Sequence, residues 1–461
     1  MAPFLANELW NAILSLLPRD DLPSISRTSK QLHQVVEPML YHTFDATKHN
    51  DGPGKAVVYF LRTLLNNPGL ASNVKNVTLR VMARSNGVRT EFGTLDMFFF
   101  TDNNRAWMQE QIVSRSMLPH SICEDWYSSI SADGNWDAVI SFLLLLVSQD
   151  LECLTMHNYG ALSHYYFINR LLGLWSDTSR KSTHEGRNPF SQLSEIHVHK
   201  NEANGGAAQY MTLINVLPYV KLKSVRKFTG RGFADASFQM IANRVFNTES
   251  VILEDCRITN SVLKNFLGSF AALKKFQWTD NIAVSIGNVF NAIGNVPQLE
   301  AHLEELIIDD ASNGGRYTLP TIQDLTQFSI LKTITIDSFS ALGAMEKRDW
   351  QMNTDMDEFP HEEPEFDPPD VLYPAARVDA FIAALPASLE YLMITACRKP
   401  IFDCVLRIVT HNKGKSLPNL TQLALAFDDD RWAYAHRSAR LDEYTNIASK
   451  NGVKLILPRS H

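Results

Sequence analysis

A short apolar pattern recurs along this sequence of 461 residues and constrains its fold more than any other feature. In the pattern, of the form LxxLxL, the second apolar residue follows the first by three positions and the third follows after two more. Residues two apart in a β-strand point to the same face, so each instance predicts a short strand with one buried face. The eight clear instances are Leu151/Leu154/Met156, Leu193/Ile196/Val198, Leu273/Phe276/Trp278, Leu303/Leu306/Ile308, Leu331/Ile334/Ile336, Leu389/Leu392/Ile394, Leu420/Leu423/Leu425 and, with a shorter first step, Val453/Leu455/Leu457.

The intervals between these instances indicate a repeat. Neighbouring instances lie 28–33 residues apart from Leu273 to Leu331 and again from Leu389 to Val453. A strand followed by a returning helix places successive strands in parallel, and a unit of about 30 residues favours a leucine-rich-repeat solenoid over a doubly wound sheet. The segments with a helical pattern are 56–66, 136–147, 237–246, 262–270, 378–385 and 401–411.

We therefore predict an α/β fold in which an irregular leucine-rich-repeat-like solenoid of alternating short parallel strands and helices spans residues 46–461. The alternative is that LxxLxL merely marks the buried strands of another α/β protein. Most units lack the asparagine that regular leucine-rich repeats carry after LxL, so the predicted repeat is irregular. Two long gaps predict insertions at about 82–135, which is rich in aromatic residues, and at 343–374.

The acidic charge of the chain is concentrated in the second insertion. Residues 346–370 include ten acidic and two basic residues, a local charge of −8, whereas the whole chain has a formal net charge of −7. The remainder is close to neutral, so the composition predicts neither nucleic acid nor a membrane as a partner. The acidic segment itself is predicted to be a solvated disordered loop, or a loop that recruits a basic partner or covers the neighbouring sheet face.

Cysteine usage, apolar runs and motifs exclude several classes of protein. The five cysteines are odd in number and contain no CxxC pair, which predicts reduced thiols. The longest apolar run, 139–147, is too short to span a bilayer, and the N-terminus lacks the basic start of a secretory signal, so we expect a cytoplasmic or nuclear location. No phosphate-loop, nucleophile-elbow, HExxH or dinucleotide-binding motif occurs, so we predict a non-catalytic protein without a cofactor.

Residues 1–45 lack the LxxLxL pattern and follow a helical one instead. Leu5, Leu9, Ile13 and Leu17 lie four apart, which places them on one helical face, and Pro18 ends that helix. Asp20 and Asp21 then stand where a helix N-terminus favours acidic oxygens, and apolar residues continue at helical spacing to Leu40. The pattern predicts three short helices, which alone would bury too little apolar surface to form a stable domain.

The segments LANELWNAILSLLPRDDL and SRTSKQLHQVVEPMLYHTF carry a resemblance to the F-box family, particularly to its members with leucine-rich repeats. They match the family's leucine-rich first helix, its Leu-Pro-x-x-Asp-Leu turn and its final Pro-x-Leu-Tyr. The sequence departs from the family pattern at Ala6, at Pro23 and at Thr28-Ser29. A proline at the position of Pro23 is tolerated because the first helical turn does not need its N–H group.

This resemblance implies an F-box helical domain at 1–45 that docks on the Skp-type adaptor, and through it on the cullin, of a Skp–cullin–F-box ubiquitin ligase. The rest of the chain would then bind an unidentified protein substrate. The residues at the motif positions, to which the resemblance assigns the adaptor contact, are Leu5, Glu8, Leu9, Ile13, Leu17, Pro18, Leu22 and Ile25. The alternatives are a scaffold outside any ligase, or a small-molecule sensor, whose F-box-like start only caps the solenoid.

Strand alternation also predicts where a substrate would bind. The residues between the apolar positions of LxxLxL point to the opposite, concave face of each strand. His197 and His199 share one strand face there, but with no cysteine or carboxylate at useful spacing we predict no metal site. The predicted substrate-binding residues on this face are Thr155, His157, His197, His199, Gln277, Asp309, Asp337 and Tyr391.

Overall fold

The structure is a computed structural model in which two compact units are distinguished. The first unit contains the described residues up to Ala234 together with Phe246–Thr248, and the second contains those from Glu249 onward. The residues that the structure describes are 6–48, 53–80, 102–116, 118–131, 135–157, 166–176, 189–200, 211–234, 246–279, 286–309, 324–342, 375–397, 401–412, 416–427 and 440–457.

The first unit begins with three helices, α1 (Asn7–Leu14), α2 (Leu22–Ser26) and α3 (Lys30–Tyr41). The helix predicted to continue to Leu17 ends at Leu14, after which the chain turns. Asp20 and Asp21 lie in a short 3-10 turn, and the Asp21 side chain makes no capping hydrogen bond to α2, contrary to its predicted role. The next helix, α3, does have a side-chain cap: Ser29 Oγ accepts the Leu32 N–H at 3.1 Å at its N-terminus.

Among the described residues of the first unit, five parallel strands form a sheet in the order β1, β2, β3, β4 and β6, and β5 pairs with β7 separately. The sheet therefore begins inside the predicted 1–45 domain, immediately after α3. The strands are β1 (Thr43–Asp45), β2 (Asn76–Arg80), β3 (Cys153–His157), β4 (Glu195–His199), β5 (Met211–Thr212), β6 (Lys227–Arg231) and β7 (Phe233–Ala234). The remaining helices are α4 (Pro53–Asn66), α5 (Asp102–Ser116), α6 (His120–Ser131), α7 (Trp136–Val147), α8 (Tyr166–Ser176) and α9 (Leu217–Val220).

In the part of the second unit that the structure describes, seven strands form a sheet in chain order, with every described pair parallel. They are β8 (Ser250–Glu254), β9 (Lys275–Thr279), β10 (Glu305–Asp309), β11 (Thr333–Asp337), β12 (Tyr391–Cys397), β13 (Gln422–Phe427) and β14 (Lys454–Ile456). The helices are α10 (Asn260–Leu267), α11 (Ile286–Gly294), α12 (Pro297–Glu300), α13 (Ser338–Leu342), α14 (Ala375–Ala384), α15 (Ile401–Asn412) and α16 (Arg440–Lys450).

The register of these sheets aligns equivalent positions of the LxxLxL pattern. In the first unit Leu154 pairs with Ile196, which pairs with Phe228, and all three are buried. The same alignment continues in the second unit through Phe276, Leu306, Ile334, Leu392, Leu423 and Leu455. The prediction of short parallel strands with one buried face is confirmed, whereas the solenoid and its repeat family remain predictions.

The predicted insertions lie partly outside the described residues. Residues 343–374 and the helix predicted at 237–246, apart from Phe246, fall there, as do residues 82–101. The rest of the first insertion includes α5 and α6. Trp126 of α6 is fully buried, and its Nε1 donates a 2.8 Å hydrogen bond to the Ala138 carbonyl in α7, so this part of the insertion belongs to the core.

Helix α7 coincides with the helix predicted at 136–147, and all twelve of its residues are buried. No single described helix is long and apolar enough to cross a membrane. Helices α6 and α7 reach the required length and composition only when taken together, and the chain bends by 113° between them.

A buried carboxyl group, Asp137, links α7 to α8. Asp137 Oδ2 accepts the Phe167 N–H at 2.6 Å and Oδ1 accepts the Ile168 N–H at 3.2 Å, so it satisfies backbone donors in the first turn of α8. Burial raises the pKa of Asp137 from 3.8 to about 6, although these hydrogen bonds act in the opposite direction. The desolvation of the charged form outweighs the hydrogen bonds that the carboxylate accepts.

We expect Asp137→Asn to change how stability depends on pH. Because the folded chain holds the Asp137 proton to higher pH than the unfolded chain, this group costs stability as pH rises from 3.8 to about 6. The free energy of unfolding of the wild type, relative to the variant, should fall by up to about 3 kcal/mol over this interval and then stay constant. Urea titrations at a series of pH values measure this difference, with Asp125→Asn at an exposed position of α6 as the control.

A difference between wild type and Asp137→Asn that does not vary with pH would contradict this assignment. The control variant makes the same chemical change at an exposed position, so it should not reproduce the effect that the burial of Asp137 causes.

Candidate protein-binding surface on the N-terminal helices

The three N-terminal helices pack around a small apolar core. Its buried members are Leu14 of α1, Leu22 of α2, and Val35 and Val36 of α3. The partly buried side chains that pack against them are Trp10, Ile25, Met39 and Leu40. This core uses one face of α1, the face that contains Trp10 and Leu14.

A second set of apolar side chains on and after α1 points away from this core. Leu9, Ile13, Leu16 and Leu17 are 53%, 43%, 84% and 38% exposed. Among the described residues, other large apolar side chains with comparable exposure occur only at Tyr59, Val113 and Tyr166. We call the set Leu9, Ile13, Leu16 and Leu17 the docking surface, because apolar groups concentrated in this way mark sites of protein association.

Backbone and side-chain hydrogen bonds hold the turn that carries Leu16 and Leu17. The Leu16 N–H donates to the Ile13 carbonyl at 3.2 Å, and the Leu17 N–H donates to the Leu14 carbonyl at 3.1 Å. Arg19 donates to the Leu40 carbonyl at 2.9 Å and to the Thr43 carbonyl. A guanidinium at the C-terminal end of a helix satisfies its last carbonyls, so Arg19 fastens this turn to the end of α3.

The predicted adaptor-contact residues fall into three groups. Leu9, Ile13 and Leu17 belong to the docking surface, and Glu8 and Pro18 are exposed beside it in sequence. Leu5 lies outside the described residues. Leu22, which is only 4% exposed, and Ile25, which is half-buried, pack in the core of the bundle, and their assignment to the adaptor contact remains a prediction.

Leu16, the most exposed leucine of the docking surface, was missed by sequence reasoning. The four-residue spacing selected Leu17 on the assumption that α1 continues through it. Because α1 ends at Leu14, both leucines lie in the following turn, where helical spacing no longer decides which side chain is exposed. The signal in the sequence was Pro18, which disfavours helical backbone in the residue before it.

Comparison with known proteins identifies this region. Residues 5–42 match the family model described as F-box domain, a segment that covers α1 to α3 and ends just before β1. The N-terminal helices are therefore an F-box domain, and F-box domains bind Skp-type adaptors in Skp–cullin–F-box complexes. No curated protein is significantly similar to the chain.

The polar face of the first-unit sheet carries four of the predicted substrate-binding residues. Thr155, His157, His197 and His199 are half-buried and lie on adjacent strands, with Thr155 paired to His197 and His157 paired to His199. The His157 and His199 rings stack with their centroids 5.0 Å apart, and those of His197 and His199 are 6.3 Å apart. The prediction that these side chains share a face is confirmed; that they bind a substrate remains a prediction.

Burial lowers the pKa values of two histidines on this face, His197 and His199. It lowers the pKa of His199 to about 4, with further lowering from His157, His197 and Arg231. Burial, and next Lys227, lower the pKa of His197, although Glu195 acts against them. Imidazoles with lowered pKa values are neutral at physiological pH and keep one nitrogen lone pair for a hydrogen bond or a metal ion.

Three potential metal ligands also meet on this face. The ligand atoms of Cys153, Glu195 and His197 all lie within 4.8 Å of one another. Glu195 stands only two residues before His197 but was not predicted to be a ligand, and Cys153 is 42 residues before Glu195 in the chain. Parallel pairing of β3 with β4 sets Cys153 directly opposite Glu195, so this assembly is a product of strand register.

The four predicted residues of the second unit have different environments. Gln277, Asp309 and Tyr391 are half-buried on the polar sides of their strands, and Asp309 Oδ1 accepts a 3.2 Å hydrogen bond from Thr395 Oγ1. Asp337 is fully buried, so its assignment to the exposed face was wrong. Helix α13 begins directly after Asp337, whose Oδ1 accepts the Ser340 N–H at 2.8 Å, and this capping role draws the carboxylate inward.

We expect alanine substitutions of Leu22, in the core, and Leu16, on the docking surface, to have different effects on stability. Leu22→Ala leaves a cavity in a small core and should destabilise the helices by about 2–5 kcal/mol, whereas Leu16→Ala should change stability by less than about 0.5 kcal/mol. Hydrogen exchange of the α3 amides in the full chain measures this difference. Equal protection of α3 in the two variants would contradict the assignment of Leu22 to the core.

Proposed function

We propose that this chain is the substrate-recognition subunit of a Skp–cullin–F-box E3 ubiquitin ligase. In this proposal the docking surface binds the Skp-type adaptor, and the polar strand faces of the two units bind a protein substrate. The observation that carries the proposal is the exposed apolar set Leu9, Ile13, Leu16 and Leu17 within the residues that match the F-box.

The energetics of the docking surface support association with a protein. Each buried apolar Å² contributes about 25 cal/mol, so leucine and isoleucine side chains that are 38–84% exposed favour association when a partner groove covers them. The turn that carries Leu16 and Leu17 is already fastened by Arg19, so little ordering of the backbone opposes binding.

The proposed mechanism is proximity. The adaptor, and through it the cullin, would hold this chain near the ubiquitin-conjugating partner, and a substrate bound to it would have a high effective concentration at the transfer site. The isopeptide chemistry would belong to the partners, and this subunit would be non-catalytic. The aligned register of the LxxLxL positions supports a leucine-rich-repeat-like presentation of the substrate face.

The alternative, in which the F-box only caps the sheet, is less well supported by the packing. Helix α3 does pack against the 3-10 segment Pro68–Asn73 and is followed directly by β1, so the helices cover part of the first unit. The contacts that would serve a cap are made by α3, whereas the docking surface lies on and after α1 and stays exposed. A cap therefore accounts for one face of the bundle and leaves the other unexplained.

We expect Leu9→Glu combined with Ile13→Glu to abolish binding to a purified Skp-type adaptor. Two carboxylates at these positions would have to be buried without partners in the complex, which should weaken binding at least a hundredfold. Isothermal titration calorimetry with the full chain measures the affinity. The matched control is Asn7→Glu combined with Asn11→Glu, which adds two charges at the same four-residue spacing on exposed positions of the opposite side of α1.

Circular dichroism and hydrogen exchange of α3 establish that both double variants stay folded. Binding that is lost in the first variant and kept in the control supports the docking surface. A wild-type chain that does not bind the adaptor, or a first variant that binds as well as the control, would refute the proposal.

A further inference from the structure

We propose that the polar face of β3 and β4 contains a zinc-binding site formed by Cys153, Glu195 and His197. The proposal concerns a face of the first unit that the docking surface does not use, and it does not depend on adaptor binding. The inference rests on three different ligand types that strand pairing brings to one place.

The backbone geometry directs the three side chains toward each other. Cys153 and Glu195 are paired residues on adjacent parallel strands, and His197 lies two positions after Glu195 on the same side of β4. The burial of alternate residues on both strands requires these three to share the half-buried face. A slip of one residue in register would turn Cys153 and Glu195 to opposite faces, and the same register that buries Leu154 against Ile196 prevents it.

The distances already approach those of a coordination sphere. His197 Nε2 lies 3.5 Å from Glu195 Oε2, and no pair of ligand atoms in the set exceeds 4.8 Å. Zinc–ligand bonds of about 2.0–2.3 Å in a tetrahedral arrangement place neighbouring ligand atoms about 3.3–3.8 Å apart. The ligand atoms therefore have to close by at most about 1.5 Å, a movement that side-chain rotation supplies without a change in the strands.

The ligand types favour zinc over the common alternatives. Thiolate and imidazole ligands select Zn²⁺, whereas Mg²⁺ and Ca²⁺ prefer sites made only of oxygen atoms. Three protein ligands leave a fourth position that water would occupy. Zinc binds the thiolate form of cysteine, so binding releases the thiol proton.

Lys227 places a positive charge beside the proposed zinc ligands. Lys227 of β6 lies opposite Glu195, and its Nζ donates a 3.1 Å hydrogen bond to Glu195 Oε2, the same oxygen that lies 3.5 Å from His197. The ammonium group satisfies the carboxylate in the absence of metal and repels an incoming cation. Zinc therefore competes with Lys227 for Glu195, which provides a variant with an effect opposite to that of ligand removal.

The experiment is a zinc titration of the full, reduced chain in competition with a chromophoric chelator. Cys153→Ser and His197→Gln should each weaken the affinity for zinc by at least tenfold, and Lys227→Met should strengthen it. The matched control is His199→Gln, which removes a histidine of the same strand face that is outside the proposed ligand set, and it should leave the affinity within about twofold of the wild type. Circular dichroism of each variant verifies the fold.

A spectroscopic measurement tests the cysteine directly. Cobalt bound in place of zinc should give a thiolate-to-metal charge-transfer band in the near ultraviolet, and this band should be absent in Cys153→Ser but present in His199→Gln. The proposal is overturned if neither the wild type nor Lys227→Met binds zinc. It is equally overturned if Cys153→Ser and His197→Gln bind as the wild type does, or if His199→Gln weakens binding as much as they do.

Discussion

The burial of alternate apolar residues along parallel strands is the interaction on which the rest of this structure depends. In each unit the buried residue of one strand pairs with the buried residue of the next, as Leu154 does with Ile196 and Leu306 with Ile334. The hydrophobic effect thereby determines strand register, because a slip of one residue would expose the whole apolar row. The same register assigns the polar residues to the opposite face. Gly230, which pairs with the buried Val198, adds no side chain to the apolar row, and the Phe233 ring fills the space there.

The F-box helices also bury apolar residues, but they are too short to bury all of them. The apolar residues that stay exposed form the docking surface. A bundle of three short helices can bury one face of α1, through Trp10 and Leu14, but it cannot enclose the other. Leu9 and Ile13 are consequently left in water next to the packed face of the same helix. Such a division is unfavourable for an isolated protein and favourable for a subunit that is completed by its partner.

Burial also determines the chemistry of the polar groups. Asp137, enclosed in the core, has a pKa raised to about 6 although it accepts hydrogen bonds from the start of α8. On the polar face of the first unit, burial lowers the pKa values of His197 and His199 and raises that of Cys153. The largest cause of each shift is the cost of removing a charge from water, and the shifts favour neutral imidazoles next to a thiol and a carboxylate.

The sequence by itself determined the features that depend on neighbouring residues: the alternation within each strand, helix α7 at Trp136–Val147, and the F-box pattern. Its errors lie where an element ends, as at Leu14 and Asp337, because periodicity does not state which turn or cap follows. Only the tertiary structure decided that Leu22 points inward and that Cys153 faces Glu195. The physical reason is that periodicity is a property of contiguous residues, whereas register joins strands 42 residues apart through the burial of their apolar rows.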